Sequence, residues 1–310
     1  MEEPANISLP LTLTPRSASQ PRLPRRLLGF STKAFFDLPR TVNYLQSFLS
    51  ALKSATLDDQ GNKVNDDDLA IFILPSFPFI PITAALIASH APPALSTSTS
   101  KDQSADKRGL KIWHGAQNTH AHPTGACTGE VPPHLLRQLG CTIICLGHAE
   151  RRAAPFHEYD DVVSAKAVEV VKEGMIPLVC IGEGDAPTHA NRPDEEAVIF
   201  CANQVYGTLT ALRLFIPEKK SVSVVFAYEP VWAIGASGAA GSDYVCAMIR
   251  GLKSAVKDIE WEGEVKWLYG GSAGPGVWQG LRNECDGLFL GRFAHEPARF
   301  LDVIKEVRAT

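Results

Sequence analysis

Residues 142–181 have the sequence TIICLGHAERRAAPFHEYDDVVSAKAVEVVKEGMIPLVCI. An apolar run of strand length at 142–146 is followed by helical apolar spacing over 160–173 and by a second apolar run at 176–181. A strand, a helix and a strand in this order are typical of parallel strands joined by a crossover helix. The stretch therefore predicts an α/β fold with a parallel sheet.

The same unit recurs along the chain from residue 27 onward. Eight strand-like runs occur, at 27–30, 69–74, 110–115, 142–146, 176–181, 222–227, 265–269 and 287–290. The longest helical stretches between them are 38–54, 160–173, 194–214 and 242–259. Eight β/α units predict a single (β/α)8 barrel over residues 25–310. An open doubly wound sheet is disfavoured, because it would carry several glycines after its first strand and only Gly29 is found there.

The composition of the chain excludes several classes of protein. Its 310 residues are 45% apolar, enough for a large core, and the net charge of -4 comes without a basic stripe for nucleic acid or a membrane surface. Seven cysteines without CxxC spacing indicate neither zinc nor a disulfide framework, and favour a reducing compartment. The apolar runs are too short to span a membrane. We therefore expect a cytoplasmic protein with no nucleic-acid or membrane partner.

Three segments fall outside the β/α pattern. Residues 1–24 contain five prolines and no apolar signal core, which predicts a disordered arm. Arginines at 16, 22, 25 and 26 leave organelle targeting as an alternative, although the prolines oppose an amphipathic helix. The acidic segment 57–68 and the low-complexity segment 91–108 are interpreted as solvated insertions, with a partner-binding or phosphorylated loop as the alternative.

Polar residues follow most of the predicted strands. The carboxyl ends of barrel strands form the active site in this architecture, so these residues are the first candidates. They are Lys33, Gln117, Asn118, His148, Glu150, Glu183, Glu229 and Ser272, and Gly291 is the residue that follows the eighth strand.

The most informative of these positions is Glu229. An apolar, aromatic-containing segment, 230–235, follows it directly and predicts a lid that excludes water around a general base. A helix beginning at His148 could hold that imidazole neutral, so that it donates a hydrogen bond to a carbonyl. An ordinary flexible loop and a structural histidine remain the alternatives.

Two further groups of charged or metal-binding side chains have simpler interpretations. Glu150, Arg151 and Arg152 are expected to form a structural ion-pair cluster behind the site. Three histidines near the third strand suggest a metal, but no carboxylate or cysteine completes a ligand set, so we expect none. These histidines are His114, His120 and His122. His295, after the last strand, is interpreted as a surface or capping residue.

Six runs of residues, in order and at strand ends, resemble the triosephosphate isomerase family. The similarity extends from about Leu27 to the C-terminus. The runs are Gly115-Ala116-Gln117-Asn118, Thr128-Gly129-Glu130, 146–152, Cys180-Ile181-Gly182-Glu183, 228–235 and Tyr269-Gly270-Gly271-Ser272.

The resemblance implies a TIM barrel that interconverts dihydroxyacetone phosphate and glyceraldehyde 3-phosphate in glycolysis and gluconeogenesis. By position, Glu229 would remove the proton beside the carbonyl, His148 would polarise the carbonyl, and Lys33 would stabilise the enediolate. The family's known base, electrophile and lid supply these roles, and only the resemblance assigns them to these positions. Glu150 would support the site. The resemblance implies that neither metal nor organic cofactor is needed.

The resemblance also implies how the phosphate and a second subunit are bound. Backbone N–H groups of Gly235, Ser272, Gly291 and Arg292 would hold the phosphate. The loop carrying Thr128 would insert into a neighbouring subunit, which implies a homodimer. An ordinary surface turn is the alternative interpretation of 125–130.

The chain departs from the family pattern after its first and last strands. Ser31 replaces an asparagine and could leave room for a larger substrate or a water, while Arg292 replaces a glycine next to the phosphate. Such departures resemble those of relatives that act on four-carbon ketose phosphates such as erythrulose phosphate. We therefore consider a triose-phosphate isomerase first, a tetrulose-phosphate isomerase second, and a catalytically silent binding protein third.

Overall fold

The structure is a computed structural model. It describes residues 19–55, 68–90, 110–184, 186, 188–189, 192–218, 221–234, 240–257 and 259–309. Residues 1–18 of the predicted arm, residues 57–67 of the first predicted insertion and all of the second lie outside the described residues.

Eight parallel strands form one closed barrel in the order β1 to β8, with β1 pairing to both β2 and β8. The fold class expected from the sequence is therefore confirmed. The strands are β1 (Arg26–Ser31), β2 (Leu69–Leu74), β3 (Lys111–Ala116), β4 (Ile143–Leu146), β5 (Ile176–Ile181), β6 (Ser223–Tyr228), β7 (Glu264–Gly271) and β8 (Gly287–Leu290).

Helices surround this barrel in the described part of the chain. They are α1 (Leu38–Ala55), α2 (Ile80–His90), α3 (Pro133–Gln138), α4 (Ala149–Arg152), α5 (Asp160–Lys172), α6 (Glu195–Phe215), α7 (Ser242–Lys257), α8 (Trp278–Leu281) and α9 (Pro297–Arg308). None of the helices among the described residues is long and apolar enough to cross a membrane.

The predicted strand ends shift by a residue or two, most of all at β7. That strand was predicted at 265–269 and extends to Gly271, because it pairs with β6 along one edge and with β8 along the other. The length of β7 is therefore set by pairing with its neighbours, and the apolar pattern of its own residues does not predict it.

The interior of the barrel is filled by side chains of different size. Phe72 of β2 packs against Phe289 of β8, with ring centroids 5.7 Å apart. Gly29 of β1 lies between these two residues in the register of the sheet, and a Cβ added there would overlap the Phe72 ring. Small and large residues on neighbouring strands therefore complement each other and keep the barrel a packed core.

The end of the predicted arm is ordered against the barrel. The Nε2 of Gln20 donates to the carbonyl of Met175 at 2.7 Å, and the backbone N–H of Ser223 donates to its Oε1 at 2.6 Å. Leu23 is buried with the side chains of the barrel interior. The expectation of disorder through residue 24 is wrong for residues 19–24, because polar groups at the start of β5 and β6 find partners there.

Candidate active site

The Glu229 side chain lies at the end of β6 and is 5% exposed. Its backbone N–H donates to the carbonyl of Ile181 at 2.8 Å, which fixes it to the end of β5. The Oε2 atom has no hydrogen-bond partner within the described part of the chain. A buried carboxylate oxygen left free in this way can accept a proton from a ligand.

Gly270 of β7 makes the space for that carboxylate. A Cβ at this position would overlap Cγ of Glu229 and lie 2.8 Å from its Oε1. The glycine therefore allows the carboxylate to pack directly on the neighbouring strand, which leaves little freedom for it to turn away.

The imidazole of His148 faces Glu229. Its Nε2 lies 3.6 Å from Oε2 of Glu229, while its Nδ1 accepts a hydrogen bond from the backbone N–H of Glu150 at 3.2 Å. His148 is the N-cap of α4, and an accepting Nδ1 leaves the proton on Nε2. A neutral imidazole thus presents an N–H donor to the space beside the carboxylate.

Lys33 reaches the same region from the loop after β1. Its backbone has a positive φ of 46°. Hydrogen bonds hold its carbonyl in this strained conformation, from Ser76 Oγ at 2.7 Å and from Gln117 Nε2 at 3.0 Å. The ammonium lies 2.7 Å from Oε1 of Glu150, so the side chain is directed across the mouth of the barrel.

The predicted ion-pair cluster of Glu150, Arg151 and Arg152 does not form. Glu150 pairs with Lys33, and burial alone would raise its pKa, but the hydrogen bond from Lys33 and the positive charge of Lys33 hold that pKa below its usual range. Arg151 binds Glu158 at 2.5 Å and Arg152 binds Asp160 at 2.5 Å. Three successive residues of a helix point in different directions, so they meet different partners.

A buried hydrogen-bond network centres on Glu183, which follows β5. Its Oε1 accepts from the hydroxyls of Tyr228 at 2.9 Å and Tyr244 at 3.0 Å, and from the indole Nε1 of Trp232 at 2.8 Å. Burial and the neighbouring Glu183 carboxylate raise the pKa of both tyrosines, so they stay protonated donors. Because Trp232 lies in the segment after Glu229, this carboxylate anchors the start of the predicted lid.

The other end of that segment is also attached to the barrel. The backbone N–H of Ala240 donates to the hydroxyl of Tyr269 in β7 at 3.1 Å. The residues between 234 and 240, including the predicted phosphate ligand Gly235, lie outside the described residues.

Ser31, at the end of β1, is buried and tied to both neighbouring loops. Its Oγ accepts from the backbone N–H of Lys33 at 3.0 Å, and its carbonyl accepts from Nε2 of His295 at 2.9 Å. His295 follows β8 and is buried, not the surface or capping residue that its position suggested. Its ring fits among aromatic side chains, with Phe36 at a centroid distance of 5.0 Å.

This buried histidine predicts a pH dependence of stability. Burial lowers the pKa of His295, as do the charges of Arg40, Lys33 and Arg292, against the opposing hydrogen bond to Ser31. The unfolded chain, with the ordinary value of 6.5, therefore binds the proton more readily, and stability is lost as pH falls below 6.5. His295→Gln should remove up to about 1.4 kcal/mol of this loss per pH unit. Urea unfolding at several pH values between 7.5 and 5.5 gives the free energy of unfolding of both proteins as a function of pH. If this free energy falls equally with pH in the unchanged protein and in the variant, the assignment to His295 is contradicted.

The remaining predicted phosphate ligands lie on two adjacent loops. Ser272 follows β7 and its Oγ donates to the carbonyl of Ala233 at 3.3 Å, close to the lid segment. Gly291 follows β8 and caps the short turn Arg292–His295, in which Arg292 is exposed. The structure thus brings Ser272, Gly291 and Arg292 to the same end of the barrel as Glu229.

Thr128 is exposed on the loop that follows β3. The neighbouring Gly129 has a φ of 93° and the loop turns back through a hydrogen bond from the N–H of Glu130 to the carbonyl of Cys127 at 3.0 Å. The loop projects from the barrel beside Lys33 and His148, since it lines the same cavity.

A cavity of about 380 Å³ opens at this end of the barrel. Ser31, Lys33 and His148 line it, together with Cys145 and Phe77. Its size suits a small phosphorylated sugar rather than a dinucleotide.

The histidines near β3 do not converge. His114 binds the carbonyl of Leu139 at 2.9 Å, while His120 approaches Glu130 at 3.3 Å and its ring lies 5.2 Å from that of His122, tilted by 59°. In the described ranges, no group of three or more histidines, cysteines, aspartates or glutamates is placed to hold a metal ion.

Several residues of the site are not evident from the sequence. Gln117 and Glu183 are candidates from their position after a strand and from the family-like runs, but the sequence assigns neither a role, and neither Ser76 nor the packing role of Gly270 is predicted at all. The glycine pair at the end of β7 is a usable signal, since a glycine at a strand end indicates close approach of another group. Ser76 and His295 carry no comparable pattern, because their partners are distant in sequence and come close only in the barrel.

Comparisons with known proteins give similar sequences over most of the chain. A model of the family described as triosephosphate isomerase matches residues 62–307. The chain is 31% identical over 279 residues to a protein of Pectobacterium atrosepticum named L-erythrulose-1-phosphate isomerase, covering 90% of this chain and 94% of that protein. A Mesorhizobium japonicum protein of the same name is 39% identical over 201 residues, covering 64% and 76%. The triosephosphate isomerase of Streptomyces avermitilis is 34% identical over 204 residues, covering 63% and 74%.

Proposed function

The chain belongs to the triosephosphate isomerase family, and from that premise we propose that its substrate is a four-carbon ketose phosphate, L-erythrulose 1-phosphate. It is a sugar-phosphate isomerase, an intramolecular oxidoreductase of the class that includes the aldose–ketose isomerases. The observation that carries the choice of substrate is the relative that matches 90% of the chain and bears this substrate in its name. Conversion of dihydroxyacetone phosphate, which the sequence favoured, is the second candidate, supported by the Streptomyces relative.

The two substrates share one reacting centre. Each has a phosphate-bearing carbon, then a carbonyl, then a carbon that carries a hydroxyl and a removable hydrogen. Erythrulose phosphate differs only in that a hydroxymethyl group replaces the second hydrogen on that third carbon. The same catalytic groups can therefore serve both, and selectivity depends on the space beyond the carbon that loses its proton.

Ser31 is the residue that we assign to this space. It is buried at the mouth of the barrel, lines the cavity beside Lys33 and His148, and is shorter than the asparagine that the family pattern has there. Its hydroxyl already accepts from the N–H of Lys33, which keeps the side chain close to the loop and away from the ligand. A hydroxymethyl group or a bridging water fits in the volume that a carboxamide would fill.

In the proposed mechanism, Oε2 of Glu229 removes the proton from the carbon beside the carbonyl. The Nε2–H of His148 donates to the carbonyl oxygen, and the Lys33 ammonium lies across the site to balance the charge of the enediolate. The proton then returns to the neighbouring carbon, while His148 transfers the hydroxyl proton to the former carbonyl oxygen, so the carbonyl and the hydroxyl exchange places. For the four-carbon substrate the carbonyl moves from carbon 2 to carbon 3; for the triose it moves to the chain end.

The phosphate is assigned to the ends of β7 and β8. Backbone N–H groups of Ser272, Gly291 and Arg292 lie on these adjacent loops, and Gly235 completes the proposed set. Arg292 is exposed and can approach the phosphate with its side chain, where a glycine would offer only its backbone.

A substrate panel tests the proposal. Purified protein should turn over L-erythrulose 1-phosphate with a kcat/KM at least tenfold above that for dihydroxyacetone phosphate, as followed by NMR of the substrate signals. A preference for the triose phosphate would support the second candidate. Turnover of neither phosphate would leave the catalytically silent binding protein as the function.

Exchanging Ser31 for the family residue should shift the preference. We expect Ser31→Asn to lower kcat/KM for erythrulose phosphate roughly tenfold relative to dihydroxyacetone phosphate, since one extra group in a filled pocket has an effect of this size. Ser31→Ala keeps the volume free and is the matched control, so its preference should stay close to that of the unchanged protein. The same substrate panel, run on all three proteins, gives the ratio of kcat/KM for erythrulose phosphate to kcat/KM for dihydroxyacetone phosphate. If this ratio is the same in Ser31→Asn and in the unchanged protein, the role of Ser31 is contradicted.

We also propose that the protein is a homodimer. Thr128 projects on an exposed loop whose neighbours Gly129 and Glu130 line the catalytic cavity, so a partner subunit seated there would close its open side. Sedimentation velocity at micromolar concentration should give twice the chain mass of 33.6 kDa.

A further inference from the structure

We propose that residues 7–13 of this chain dock in a surface groove between α5 and α6, remote from the catalytic cavity. The groove has a volume of about 610 Å³. Its walls are the stripe Asp161, Ala165, Val168 and Lys172 on α5 and the side chains of Tyr206, Thr210, Ala211, Leu214 and Phe215 on α6. We refer to it as the α5–α6 groove.

The α5–α6 groove is unusually apolar for an exposed surface. Tyr206, Leu214 and Phe215 are 54%, 72% and 64% exposed, and all three lie along one side of the groove. Clustered large apolar side chains on a helix indicate a surface that another segment covers. The opposite wall is formed by the short side chains of Ser164 and Ala165, which leave room for inserted leucines.

The N-terminal arm enters the barrel at the foot of this groove. Gln20 binds the carbonyl of Met175, three residues after the end of α5, and the N–H of Ser223, where β6 begins after α6. Lys172 and Phe215, at the last turns of the two helices, form the near end of the groove. The preceding residues of the chain therefore start next to it.

The sequence of the arm matches the groove in pattern and length. Residues 7–13 are ISLPLTL, with apolar side chains at Ile7, Leu9, Leu11 and Leu13. In an extended chain alternate side chains share one face, so these four would point into the groove together. They span about 20 Å, close to the length of the thirteen-residue α5, and residues 13–19 can bridge a further 20 Å or so.

Limited proteolysis of the full chain tests the docking. Chymotrypsin can cleave after Leu11 and Leu13, and mass spectrometry follows both products. Cleavage in the unchanged protein should be at least tenfold slower than in a synthetic peptide of residues 1–18. Tyr206→Asp with Leu214→Asp should bring it to the rate of the peptide. Leu38→Asp is the matched control, because Leu38 is a similarly exposed leucine on α1, and it should change nothing.

A change in the arm provides a test that leaves the barrel untouched. Leu9→Ser should accelerate cleavage at Leu11 and Leu13, whereas Thr12→Ala, on the opposite face of the extended segment, should not. Cleavage at the peptide rate in the unchanged protein would overturn the proposal, as would equal rates in the groove variant and the Leu38 control. Protection that grows with protein concentration, together with a larger species in sedimentation, would show that the groove binds a second copy and would overturn it too.

Discussion

Replacing Glu229 with glutamine should lower kcat by about a thousandfold for whichever sugar phosphate the enzyme prefers. The amide keeps the shape of the side chain but cannot accept the proton, and general bases contribute about 10² to 10⁴ in rate. KM should change little, because Oε2 makes no contact within the described residues that substrate binding would break. Turnover is measured directly, and solvent deuterium incorporation into the substrate reports proton removal.

A control must show that the lower kcat of Glu229→Gln comes from the missing base and not from a damaged fold. Glu173→Gln, at the opposite end of the barrel after α5, is the matched control and should retain full turnover. Both variants should unfold at the temperature of the unchanged protein within a few degrees. Undiminished deuterium incorporation by Glu229→Gln would show that another group removes the proton.

Adding one methyl group at Gly270 should reduce kcat by about a hundredfold while Glu229 itself is unchanged. The new Cβ would overlap Cγ of Glu229, and β7 cannot move away because it pairs with β6 and β8 on its two sides. The carboxylate must therefore turn, and a misplacement of about 1 Å can cost about 10² in rate. Overpacking should also cost roughly 1–3 kcal/mol of stability.

Gly207→Ala is the matched substitution for this experiment. Gly207 lies inside α6, and a Cβ there would make only an ordinary contact, 3.5 Å from Oγ of Ser164. This variant should keep its kcat and gain about 0.5–1 kcal/mol, since alanine is the better helix former. Kinetics and thermal unfolding of the two variants distinguish them; a fully active Gly270→Ala would mean that the base has more room than the structure gives it.

The buried network around Glu183 connects catalysis to the lid. One carboxylate oxygen accepts from two tyrosine hydroxyls and from the indole of Trp232, so the segment after Glu229 starts from a fixed point. At its far end Ala240 is held by Tyr269. The proposed base, Glu229, is thereby held between the ends of β5 and β7, while the segment that follows it is attached at both ends.

Local periodicity in the sequence determined the architecture. Strands buried on both faces appear as continuous apolar runs, and eight of them alternating with helical spacing predict a closed barrel. Because parallel strands end at one face, the order of residues along the chain also placed Lys33, His148 and Glu229 together. Three strands, including β2 and β5, begin and end where the apolar runs do.

Only the tertiary structure decided which side chains are partners. Lys33 pairs with Glu150 across 117 positions of sequence, whereas the neighbouring Arg151 and Arg152 turn to other carboxylates. Gln20, at the end of a proline-rich arm, is fixed by backbone groups at the starts of two strands. Apolar periodicity is a property of adjacent residues, but a hydrogen bond or an ion pair depends on distances of a few ångströms that exist only once the barrel has closed.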